Sequence, residues 1–103
     1  MTTRSMKPIA KEEVLAQLKA LKPELAQRYG VGQIGVFGSV ARNEAHEESD
    51  IDVVVQMLPD ILKRASLKAE LEEKFGRDVD VIRYWHGMNQ FLKARIDQEA
   101  VYA

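Results

Sequence analysis

Two acidic residues one position apart, Asp50 and Asp52, lead into the apolar run Val53-Val54-Val55. On a strand, side chains alternate between faces, so the two carboxylates project from one face while Ile51 points the other way, toward a core. Their Cα atoms then lie roughly 6–7 Å apart. Charges at the mouth of a buried strand cost free energy unless something pairs with them. No Lys or Arg stands between Arg42 and Lys63 to do so locally. Hard carboxylate oxygens suit a divalent cation, and Mg2+ is the natural partner. The competing reading is a capping aspartate beside a solvent-facing neighbour.

Upstream, Ile34-Gly35-Val36-Phe37 reads as a short strand, and Gly38-Ser39 turns the chain into a short helix over residues 40–44. Backbone N–H groups at such a turn can hold an anion. A glycine there lets the backbone approach a phosphate closely, and the Ser39 hydroxyl adds a donor. A phosphate cradle on one strand and a metal-binding pair on the next suggest a nucleoside triphosphate carried with Mg2+. Arg42 has two readings, a phosphate contact or an ion pair with Glu44 and the acidic loop.

Gly38-Ser39, ten intervening residues and Asp50-Ile51-Asp52 resemble the signature of the DNA polymerase beta-like nucleotidyltransferases. The fuller pattern adds Ala41, Arg42, Glu44, Ala45 and Ser49 and is similar to the minimal nucleotidyltransferases. That resemblance runs from Tyr29-Gly30-Val31 to Glu99-Ala100-Val101-Tyr102. It implies Mg2+ at two sites, ATP as substrate, pyrophosphate as leaving group and a third acid on a neighbouring strand. Asp80, in Val79-Asp80-Val81 after Gly76-Arg77, matches the family's third acid, with Asp78 as its competitor. Many members are the antitoxin half of a toxin–antitoxin pair whose partner is a HEPN-domain ribonuclease. The implied reaction moves AMP from ATP to a tyrosine of that toxin. Asp50, Asp52 and Asp80 would hold the metal; Gly38, Ser39 and Arg42 would hold the nucleotide. Position 40 is Val where a basic or polar residue is frequent, and position 43 is Asn where Gly is usual. Asn tolerates left-handed backbone, so the turn can persist.

The elements needed to position these groups are legible along the chain. A length of 103 residues fits one domain with a small core. With 46% hydrophobic and 30% charged residues, the composition is that of a globular protein. Residues 1–8 show no pattern and read as a frayed start. Val14, Leu15, Leu18 and Leu21 follow helical spacing, and Pro23 predicts a break before a second short helix ending at Gly30. Leu25 and Tyr29 are expected to face inward. Strands are expected over 31–37, from Asp50 to position 56 or 57, and over 78–84. Burial on both faces is expected for Val53, Val54 and Val55. Helices are expected over 61–75, kinked near Ala65-Ser66, and over 89–101, with Phe91, Leu92 and Ile96 inward. The predicted fold is α/β, a small mixed sheet of about three strands flanked by helices.

Several function classes are disfavoured. No apolar run reaches the roughly 18 residues that a membrane span needs. The absence of cysteine excludes disulfides and thiolate-held zinc and suits a cytoplasmic protein. Residues 43–62 carry six acids and no base, and the net charge is −1, so no basic stripe invites nucleic acid. His46 and His86 read as loop residues. Tyr84 and Trp85 read as core, as a stacking platform or as an anchor for a partner protein. Two alternatives stay open beside the enzymatic antitoxin: one that neutralises by binding alone, and transfer to a small molecule such as an aminoglycoside.

Overall fold

A computed structural model describes residues 10–46 and 48–103. The frayed start expected over residues 1–8, and Glu47 of the acidic loop, lie outside the described residues. The elements are α1 (Lys11–Tyr29), β1 (Gln33–Phe37), α2 (Gly38–Ala41), β2 (Ile51–Gln56), α3 (Ile61–Phe75), β3 (Val79–Arg83), α4 (Gln90–Glu99) and β4 (Val101–Tyr102). The sheet runs in the order β3-β2-β1-β4. β1 pairs antiparallel with β2 and β4, while β2 and β3 are parallel and joined across α3. The expected α/β mixed sheet is present, with four strands rather than three.

The extra strand corrects the reading of the C-terminus. α4 stops at Glu99, and Val101 and Tyr102 pair with Val36 and Gly35 instead of extending the helix. Gly35 permits this approach, since a Cβ there would stand 2.5 Å from the Val101 carbonyl oxygen. Pro23 does not break the first helix, which is continuous through it. Leu18 on one side of the proline and Leu25 on the other are fully buried. Burying two such side chains contributes roughly 3–6 kcal/mol, which outweighs the roughly 3 kcal/mol penalty of an interior proline. Gly30 and Gly76, both left-handed, close α1 and α3. Asp60 and Asn89 cap α3 and α4 by accepting from the N–H groups of Lys63 and Leu92. α3 is uninterrupted at Ala65-Ser66.

Apolar residues cover both faces of the sheet. Ile34, Val36, Ile51, Val53, Val55 and Val79 pack on one face with Val14, Leu18 and Leu25 of α1 and Leu67 and Leu71 of α3. On the other face, Phe37 and Val54 pack with Met88 and with Ile96 of α4. Burial of Val53, Val54 and Val55 in succession is as the run of valines predicts. Phe91 is not inward: it is 86% exposed, because Leu92 and Ile96, one turn apart, set the buried side of α4.

Candidate active site

Parallel pairing of β2 with β3 places Asp52 directly opposite Asp80. Asp52 shares its face of the sheet with Val54, and Asp80 with Ile82, and both of these apolar residues belong to the cluster on the α4 side. Ile51 points into the main core on the opposite face, as strand alternation requires. Asp50 precedes the strand and is exposed. Asp78 lies just before β3 and is also exposed, its carbonyl accepting the Ile51 N–H at 3.1 Å. The register therefore favours Asp80 over Asp78 as the partner of Asp52.

Gly38 lies against Asp52. Antiparallel pairing sets Phe37 opposite Asp52, so the turn leaving β1 folds over the Asp52 carboxylate. Gly38 has φ +72°, and a Cβ on it would meet Asp52 Oδ2 at 2.3 Å. Glycine is required here twice over, for its left-handed backbone and for the space. Ser39 follows on α2, its carbonyl accepting the Glu44 N–H at 2.8 Å. α2 begins at Gly38, two residues earlier than the sequence predicts. Asn43 has φ +60° and so adopts the left-handed conformation at the position where Gly is usual. Val40 is fully buried in the main core, which removes it as a phosphate contact and explains an apolar residue there.

The carboxyl of Asp52 is pushed above its ordinary value near 3.8. Burial is the first cause, followed by repulsion from Asp80, with Asp50 adding a smaller push; Arg95 and Arg42 pull in the opposite direction. A group of acids that repel one another in this way favours either protonation or a cation. Their hard oxygens fit Mg2+. Among the described residues no three acids or histidines are close enough to cage an ion by themselves. Asp52 and Asp80 would hold one only together with other oxygen donors.

Arg42 is engaged by acids. Its Nε donates to Glu44 Oε1 at 2.9 Å, and its Nη1 donates to Glu99 Oε1 at 3.1 Å. Glu99 also accepts the Gly38 N–H at 3.1 Å, and Arg95 Nη2 lies 3.8 Å from the same oxygen. The sequence reading missed Arg95 and Glu99. Their only local signal is a four-residue spacing on a helix, a pattern that most often marks a solvated ion pair.

The remaining candidates fall away from this centre. His46 Nδ1 accepts the Glu48 N–H within its own loop. Tyr84 packs in the second cluster and its hydroxyl donates to Asp97 at 2.6 Å. Trp85 is 44% exposed, and the Arg83 guanidinium lies 5.3 Å from its ring centre. With Pro59, Asp60, Ile61, Leu62 and Arg64 these two line an open cavity of about 560 Å³.

A mixed sheet that holds facing aspartates beneath a glycine-serine turn defines a class, the enzymes that transfer nucleotidyl groups. Residues 18–102 match the model of the nucleotidyltransferase domain family, and the chain belongs to that family. It is therefore a nucleotidyltransferase, of the minimal type. It is 45% identical over 73 residues to the protein adenylyltransferase MntA of Thermococcus cleftensis, spanning 69% of this chain and 74% of that one. It is 36% identical over 92 residues to a Methanocaldococcus jannaschii protein described as a candidate protein adenylyltransferase, spanning 87% and 94% of the two chains. A solved structure described as a minimal nucleotidyltransferase superposes with TM-score 0.74 at 33% identity, over 90% of this chain and 95% of the other. The MNT antitoxin bound to a tri-AMPylated HEPN toxin of Shewanella oneidensis shares the fold, with TM-score 0.64 at 18% identity over 89% and 70% of the chains.

Proposed function

We propose that this protein is an antitoxin that moves AMP from ATP to a tyrosine hydroxyl of a HEPN-domain ribonuclease and so silences it. The observation that carries the reading is the register of Asp52 against Asp80 beneath Gly38. Support for a protein acceptor comes from relatives named as protein adenylyltransferases at 45% and 36% identity. Exposed Leu58, Ile61 and Leu62, each about four-fifths accessible, add apolar surface of the kind that partners cover.

Asp50, Asp52 and Asp80 would hold Mg2+ together with phosphate oxygens of the nucleotide, which would complete the shell. Mg2+, when bound, neutralises triphosphate charge and lowers the pKa of the attacking hydroxyl. The chain's own groups do the rest. Gly38, lacking a side chain, lets the Asp52 carboxylate sit against the turn, and its backbone N–H would meet a phosphate oxygen. Ser39 and Arg42 orient the phosphates, and Arg42 offsets negative charge as the bond to pyrophosphate breaks. Asp80, exposed at the rim, accepts the tyrosine proton as its oxygen attacks the α-phosphorus. A cytoplasmic location suits ATP as substrate and a chain without cysteine.

The test mixes the purified protein with its HEPN partner, ATP and Mg2+, and follows AMP transfer together with ribonuclease activity. Asp52→Ala should slow transfer by at least ~10²-fold and leave the ribonuclease active. A variant that transfers nothing yet still silences the partner would establish neutralisation by binding alone.

A further inference from the structure

The chain carries its own anion on the nucleotide cradle. Glu99 Oε1 accepts from the Gly38 N–H at 3.1 Å and from Arg42 Nη1 at 3.1 Å, with Arg95 Nη2 at 3.8 Å. These are the kinds of donor, one backbone amide and two guanidinium groups, that bind phosphate oxygens. The amide belongs to the residue in contact with Asp52. Both arginines lie within electrostatic reach of that carboxylate. The three donors therefore face the place where the phosphates of a metal-bound nucleotide would lie.

Beyond Arg95, one turn back, α4 itself offers Glu99 little. It is the last residue of α4, where the carbonyl ends of the peptide dipoles disfavour a negative charge, and α4 has no basic residue in its last turn. Its two hydrogen-bonded partners, Arg42 and Gly38, are far away in sequence, 57 and 61 residues distant; only Arg95, one turn back on α4, is local. The ion pairs are partly exposed, with Arg42 at 42% and Arg95 at 53% side-chain accessibility, so each is individually weak. A triphosphate carries several charges where Glu99 carries one.

We propose that Glu99 is an internal stand-in for a phosphate group, and that nucleotide binding displaces it from Gly38, Arg42 and Arg95. Arg95 then becomes a phosphate-binding residue alongside Arg42, and the C-terminal end of α4 becomes responsive to nucleotide. β4 follows Glu99 after a single residue, so displacement is transmitted to the edge of the sheet. This inference rests on the nucleotidyl-transfer reading above.

Isothermal titration of the full chain with ATP·Mg2+ tests it. Glu99→Gln keeps the shape and an acceptor for Gly38 but removes the competing charge, and should tighten binding about tenfold if the open cradle is a one-in-ten state. Adding Arg95→Gln to that variant should reverse most of the gain. Wild type provides a second measurement that needs no substitution. In amide and arginine side-chain NMR spectra, inorganic tripolyphosphate should shift the Gly38 amide and the Nε–H signals of Arg42 and Arg95 together. Binding by wild type with no gain in Glu99→Gln, and no coordinated shift at the three donors, would overturn the displacement and leave nucleotide binding standing. Absence of ATP·Mg2+ binding in wild type and both variants would overturn both readings.

Discussion

Asp52 sits where its negative charge costs stability. Its raised pKa means that the folded chain tolerates the protonated form better than the ionised one. The penalty is absent below the ordinary value near 3.8 and develops as pH rises through the raised value. Asp52→Asn should therefore raise Tm at neutral pH without divalent cations, and the gain should vanish at pH 3. Thermal unfolding of both proteins across pH checks this; a gain that does not change with pH would remove the electrostatic explanation. Gly38 is constrained in the same place. Gly38→Ala adds a left-handed penalty of roughly 1–2 kcal/mol and forces the Asp52 carboxylate aside. Nucleotidyl transfer should fall by more than the loss of stability accounts for. Measuring the rate well below the variant's own Tm separates the two effects.

At the scale of elements, α1 and β4 show long-range packing overriding local signals. Pro23 reads locally as a helix boundary, yet α1 is continuous. Pro23→Ala removes a penalty of about 3 kcal/mol and gives back roughly 0.4–1 kcal/mol of unfolded-state restriction, so it should stabilise by about 2–3 kcal/mol. A calorimetric Tm higher by at least several degrees is the expected result. Gly35→Ala should act in the opposite direction, because its Cβ would collide with the Val101 carbonyl. Amide exchange at Val101 and Tyr102 should quicken more than exchange in β2.

Across the whole molecule, the placement of the candidate residues was legible where chemistry and periodicity coincide. Strand alternation is enough to send Ile51 into the core, and the Val79-Asp80-Val81 pattern is enough to favour Asp80, which the register then sets opposite Asp52. Asn43 was legible as a left-handed residue because its side chain is one of the few that tolerates that conformation. The fourth strand was not, since two residues that pair with a distant edge have no period of their own. Phe91 was misread because apolar character does not say which side of α4 meets the sheet. Glu99 and Arg95 escaped for a related reason: their meaning lies in Gly38 and Arg42, which only the folded chain brings near. The exposed apolar residues of α3 and the loop before it, Leu58, Ile61 and Leu62, also gain meaning only at this scale, as surface that the proposed reading would cover with a second protein.

The most direct measurement supplies the protein and its HEPN partner with ATP labelled either at the α-phosphate or at the γ-phosphate, in the presence of Mg2+. Label from the α-position should appear on the partner, label from the γ-position should leave in pyrophosphate, and Asp52→Ala or Asp80→Ala should abolish the first signal. Transfer of the γ-label, or α-label transfer that survives both substitutions, would contradict the account.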